Sequence, residues 1–95
     1  MLHELKTDIR PFQDIVSGRK TFEVRKDDRG YTVGDILLLR DTLSTDEAMM
    51  AGAPLAYTGR QIRVEVTYIL FGASTGRSPY GIAKGFVVMS IRVIV

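Results

Sequence analysis

Between residues 18 and 25 the chain reads Gly-Arg-Lys-Thr-Phe-Glu-Val-Arg. Three of these side chains, Lys20, Glu23 and Arg25, carry charges of the kind that hold a polar ligand. The ammonium of Lys20 suits a phosphate or a carbonyl oxygen. Glu23 and Arg25 stand two residues apart, so on a strand they share a face. A carboxylate in that position accepts from the amino group of a base, and the planar fork of Arg25 suits phosphate or stacking. The plainer alternative is ion pairing, either with each other or with Arg63 and Glu65 on another strand. If the pair is enclosed, Glu23 stays ionised only with Arg25 or Lys20 close by.

A second group of candidates lies in the stretch Gly72 to Lys84, where glycines alternate with Ser74, Thr75, Arg77, Ser78, Tyr80 and Lys84. Arg77 and Lys84 suit a sugar-phosphate chain and Tyr80 suits base stacking. Such a composition equally describes a plain loop between two strands. His3, the single histidine, reads as a surface residue near a terminus. Arg60 and Arg63 read as solvated, and Met49-Met50 as cover for a core or a partner surface.

The elements that must position these groups can be read from periodicity. Asp8 is a good N-cap, and Ile9, Phe12, Ile15 and Val16 then recur on one helical face. Pro11 falls in the first turn, where a missing N–H does no harm. Gly18 follows as a C-terminal cap. A short amphipathic helix over about residues 9 to 17 is therefore expected. A two-residue alternation begins right after it, with Phe22 and Val24 against Glu23 and Arg25, and Lys20 at the head of the strand. Lys26 to Gly30 reads as a turn. Ile36 to Arg40, apolar on both faces and short, reads as a buried strand. Residues 45 to 51 have the makings of a helical turn, broken up by Gly52, Pro54 and Gly59. The clearest strand runs from Gln61 to Phe71, with Ile62, Val64, Val66, Tyr68 and Leu70 expected on one face. The last strand, Gly85 to Val95, turns Val87, Met89, Ile91 and Val93 inward. The expected fold is mostly β with one or two short helices, a small and mainly antiparallel barrel whose closure removes exposed edges.

Bulk properties narrow the field. Ninety-five residues, 45% of them hydrophobic, make one domain with one core. No apolar run approaches the roughly 18 residues a membrane helix needs, and the start lacks the apolar region of a signal peptide. With no cysteine there is no disulfide framework and no thiol nucleophile. These features together read as a cytoplasmic protein with no membrane partner. A net charge of +2, from 13 basic and 11 acidic residues, gives no global field, so nucleic-acid binding would have to use a local patch. One histidine cannot build a multi-histidine metal centre. Neither a phosphate-binding Gly-x-x-x-x-Gly-Lys loop nor a dinucleotide fingerprint occurs. No cofactor and no metal are expected.

The spacing Gly-x-Lys-x-x-Glu-x-Arg after a short helix, met here by Gly18, Lys20, Glu23 and Arg25, resembles the hallmark of the ASCH superfamily, small β-barrels of PUA-like fold. Val33-Gly34-Asp35-Ile36-Leu37 fits its entry to the next strand. The opening His3-Glu4-Leu5-Lys6 and the ending Gly85 to Ile91 resemble an uncharacterised bacterial and phage branch of it. The resemblance implies a single PUA-like domain over residues 1–95 that binds RNA or a nucleotide in a cleft beside the helix, with Lys6 at its side. One bacterial branch hydrolyses N4-acetylcytidine with a lysine, a threonine and a distant glutamate. Its lysine aligns with Lys20, but its threonine falls on Glu23. An amidohydrolase here would take Lys20 as base and the neighbouring Thr21 or a water as attacking group, with Glu23 beside them. A third reading is a protein-interaction module without a ligand. The expectation carried forward is an RNA- or nucleotide-binding module using Lys6, Lys20, Glu23, Arg25, Arg77, Tyr80 and Lys84.

Overall fold

Asp8 starts the first helix as its type predicts: the carboxylate accepts from the Arg10 amide at 3.0 Å, capping α1 (Ile9–Val16). Phe12 and Ile15 are buried, while Ile9 and Val16 stay half exposed. The helix ends at Ser17, and Gly18 follows with φ 81, a left-handed conformation that favours glycine. This computed structural model describes residues 1–73 and 80–94. Arg77, expected at the ligand site, lies outside the described residues.

Around α1 the described residues form β1 (Leu2–Thr7), β2 (Phe22–Lys26), β3 (Ile36–Thr42), α2 (Asp46–Met50), β4 (Tyr57–Phe71) and β5 (Phe86–Val93). One five-stranded sheet has the order β1-β3-β4-β5-β2. Only β1 and β3 run parallel, as a crossover through α1 and β2 demands. The other pairs are antiparallel. The fold is mostly β, a curled half-barrel whose two free edges are β1 and β2. No helix among the described residues is long and apolar enough to cross a membrane.

The concave face holds the core: Leu5, Ile15, Tyr31, Leu37, Leu39, Val64, Val66, Val87, Met89 and Ile91. Truncating a fully buried member such as Leu37 to alanine costs about 2–5 kcal/mol. The buried strand expected at β3 is found, and on β5 Val87, Met89 and Ile91 face inward as expected, but Val93 at the strand's end is 47% exposed. On β4 the expectation fails past Val66. The register shifts between Val66 and Tyr68, a bulge that adds one residue and reverses the alternation. Tyr68 therefore turns outward, opposite Ser90, and is 63% exposed, while Ile69 takes the inward place opposite Met89. Leu70, also expected inward, pairs with Val88 on the outer face.

Two more expectations need correction. His3 is buried, at 5% exposure. Its Nε2 donates to Asp35 Oδ2 at 2.8 Å, and its ring meets Tyr31 edge-on at 4.8 Å. Asp35 also accepts from the Met1 amino group, the Thr32 amide and the Thr32 hydroxyl. Burial alone would push this carboxyl up, but hydrogen bonds from Thr32, His3 and the amino group outweigh it and hold it far below the usual carboxylate range. The alternative pairing of Glu23 and Arg25 with Arg63 and Glu65 is not formed: Glu23 and Arg25 pair with each other, and Glu65 pairs across the sheet with Arg92.

Where β4 gives way to the following loop, Gly72 is needed for close approach. A Cβ there would stand 2.0 Å from the Ala83 carbonyl oxygen, in a crossing where the Gly72 amide donates to Phe86.

Candidate functional site

The gap between the two free edges, beside the start of α1, gathers most of the charged residues singled out above. β2 hangs on β5 with Glu23 opposite Met89, which turns Glu23 inward beside the core. It is 2% exposed. A carboxylate so placed must be paired. Lys20 Nζ donates to its Oε1 at 2.7 Å and Arg25 Nε to its Oε2 at 2.8 Å. The same-face pairing of Glu23 and Arg25 is thus realised as an ion pair, with Lys20 completing it.

Lys20 does not head the strand as expected. It sits in the turn before β2, and its amide donates to the Asp14 carbonyl in α1 at 2.9 Å. The helix therefore sets the backbone that carries the ammonium, which lies 5.4 Å from the Phe22 ring centroid. Arg25 reaches further: its Nη2 donates to the Lys6 carbonyl at 3.0 Å and to Thr7 Oγ1 at 3.2 Å. One guanidinium thereby ties the free edge of β2 to the free edge of β1.

These groups line a cavity of about 180 Å³ together with Lys6, Thr7, Asp8, Pro11, Val24 and Asp46. At about 30 Å³ per water it has room for roughly six waters, enough for one polar ring but not for a large ligand. Its cations Lys6, Lys20 and Arg25 balance its carboxylates Asp8, Glu23 and Asp46. The site therefore works by placed donors and acceptors more than by net field.

Asp8, Thr7 and Asp46 were not anticipated here. Asp8 was legible only as a helix cap. In the fold its second oxygen also accepts from Arg10 Nη2 and from the Asp46 amide at the start of α2. Burial raises its carboxyl, but the bonds from Arg10 and Asp46 prevail and hold it below the ordinary value. The cap thus ties the start of α1 to that of α2 and fixes one wall of the cavity.

Of the remaining expected residues, Thr21 is exposed and does not line the cavity; its carbonyl accepts from the Ile91 amide. Tyr80 and Lys84 are exposed and do not line it either. Among the described residues no three histidine, aspartate or glutamate side chains gather closely enough to hold a metal ion.

Comparison with known proteins places the chain in a family of unestablished role. The family described as "Domain of unknown function (DUF3850)" matches residues 2–91, nearly the whole length, and the chain belongs to it. The chain is also similar to an "Uncharacterized 12.9 kDa protein in GpA 3'region" of Escherichia phage P2, 30% identical over 66 residues. That match takes in 70% of this chain and 51% of the phage protein, so the chain spans about half the length of its curated relative.

Proposed function

We propose that this DUF3850 chain is a small RNA- or nucleotide-binding module of the ASCH type, with a PUA-like half-barrel, whose ligand enters the cavity between α1 and the two free sheet edges. The observation that carries this reading is Glu23, a buried carboxylate held by Lys20 and Arg25 at the wall of a polar cavity. Each oxygen of Glu23 keeps a lone pair beyond its one salt bridge, so it can still accept from the amino group of a base. Lys20, Lys6 and Arg25 supply cationic donors beside it. Thr21 stands away from the cavity, which supports binding over amide hydrolysis by a threonine at that position.

The test is NMR at low salt with short single-stranded RNA oligonucleotides. Binding shifts the amide signals of residues 18–25 and weakens as salt rises, because phosphate neutralisation releases counterions. No shift in those residues with any oligonucleotide would remove the proposal.

A further inference from the structure

Arg25 and Lys6 have a second cavity on their other side. It measures about 220 Å³ and is lined by Leu5, Lys6, Arg25, Lys26, Asp28, Arg29 and Tyr31. Its electrostatics differ from those of the first cavity. There, Lys20 and Arg25 are neutralised by Glu23. Here Arg25, already paired with Glu23, is joined by Lys6, Lys26 and Arg29, which face one carboxylate, Asp28. Moreover, among the described residues the side chains of Lys6, Lys26 and Arg29 take part in no hydrogen bond or salt bridge. Three cations without a direct partner against the single carboxylate Asp28 leave the hollow with a surplus of positive charge, which a bound anion offsets.

The remaining wall is a donor. Tyr31 is buried, and burial pushes its phenol up despite the nearby Arg25 and Arg29, so at neutral pH the hydroxyl keeps its proton. Planar guanidinium groups and ammonium groups around a protonated hydroxyl are the donor set for a tetrahedral oxyanion.

We infer that the cavity lined by Lys6, Lys26, Arg29 and Tyr31 is a phosphate site, joined to the Glu23 cavity across Arg25, so that one nucleotide places its base on the Glu23 side and its phosphate on the other. This inference rests on the nucleotide-binding reading above and narrows it to a phosphorylated ligand, excluding a free nucleoside. The phosphate is either a terminal monoester or an internal diester of an RNA chain. Both present charged non-bridging oxygens to the same donors, the monoester with one more oxygen and more charge than the diester.

The experiment compares three probes at low salt: cytidine, cytidine 5′-monophosphate and the trinucleotide CpCpC without a terminal phosphate. Cytosine is used because its amino group can donate to Glu23. Each is titrated into the wild-type chain and into the Lys26→Ala/Arg29→Ala variant, whose altered side chains are both exposed and leave the core intact. At least one phosphorylated probe binds tenfold or more tightly than cytidine and shifts residues 25–31 as well as 18–25. A gain for the monophosphate alone marks a terminal phosphate, and a gain for CpCpC alone marks a diester. The double substitution brings that gain to within twofold of cytidine and leaves cytidine binding unchanged. The inference is overturned if neither phosphorylated probe outbinds cytidine, or if the gain survives in the variant. In those cases continued shifts at residues 18–25 leave the binding reading standing. Absence of any shift there with all three probes and with RNA overturns both.

Discussion

Two buried carboxylates of this small domain live in contrasting company. Asp35 is held by an imidazole, a backbone amide, a hydroxyl and the amino group of Met1, at 4% exposure. Three of those four donors belong to side chains or backbone that are themselves short, and no charged side chain of variable reach is involved. Among the described residues Glu23 is held by Lys20 and Arg25 alone, long side chains that are each about a fifth exposed and that face a cavity. Short donors around a closed carboxylate make a clasp that pins the start of β3 to β1. Long cationic donors at an opening make an arrangement that can rearrange around a guest. The same chemistry, a deprotonated carboxyl inside a protein, serves stability in one place and is available for recognition in the other.

The contrast is broken most directly at Asp35. Asp35→Ala leaves the buried His3 ring without its acceptor, frees Thr32 and the Met1 amino group from theirs, and costs roughly 3 kcal/mol. At about 4–8 °C per kcal/mol for a domain of this size, calorimetry records a fall in Tm of roughly 12 °C or more. Acid titration probes the same clasp. The folded carboxyl lies below its unfolded value, so its stabilisation is complete above about pH 3.9 and drains away as pH falls below that point towards the folded value. Denaturant midpoints measured from pH 6 to pH 2 show this decline, and it is shallower in Asp35→Asn, where the Asp8 carboxyl, also held below its ordinary value, still contributes.

Substitution at Glu23 acts on choice of ligand more than on stability. Glu23→Gln keeps the shape but gives up the strong acceptor, so the preference for cytosine-rich over uracil-rich oligonucleotides shrinks to within about twofold. Competition binding measures it. Lys20→Ala weakens RNA binding at all sequences alike and lowers the slope of log affinity against log salt by about 1. Its Tm moves by only about 4 °C, since the partner Arg25 remains on Glu23. The smallest effect is expected at Lys84, which does not line the Glu23 cavity. Lys84→Ala changes oligonucleotide affinity by less than about twofold, and a larger loss would move the binding face towards the loop before β5.

Much of this could be read from residue types alone, because it depends on neighbours in sequence. The N-cap at Asp8, the helix end at Gly18, the inward Val87, Met89 and Ile91 of β5, and the shared face of Glu23 and Arg25 all follow from spacings of two to four residues. What escaped depends on pairings across the fold. His3 and Asp35 are 32 positions apart, and nothing near either one marks the other. The bulge after Val66 leaves no glycine or proline as a sign, so Tyr68 reads as core until its neighbour Ser90 is known. Asp41 lies one residue past the strand expected over Ile36 to Arg40, yet it belongs to β3 and is fully buried, with Thr58 donating to one oxygen and Arg60 4.0 Å away. At the candidate site, the triad was legible and its surroundings were not. Thr7, Asp8 and Asp46 join the cavity only because β1, α1 and α2 begin or end at the same corner.

The bridge from Arg25 to Lys6 and Thr7 carries a consequence for motion. Strands joined by a ladder part only when a row of amide contacts fails together, whereas among the described residues these two free margins are spanned by the hydrogen bonds of one side chain. Release of that one guanidinium lets the half-barrel spread there while every ladder stays whole. Deuterium uptake should consequently be fastest, within the sheet, along the outward-facing amides of Leu2–Thr7 and Phe22–Lys26, and a guest that grips Arg25 from either side should slow both margins at once.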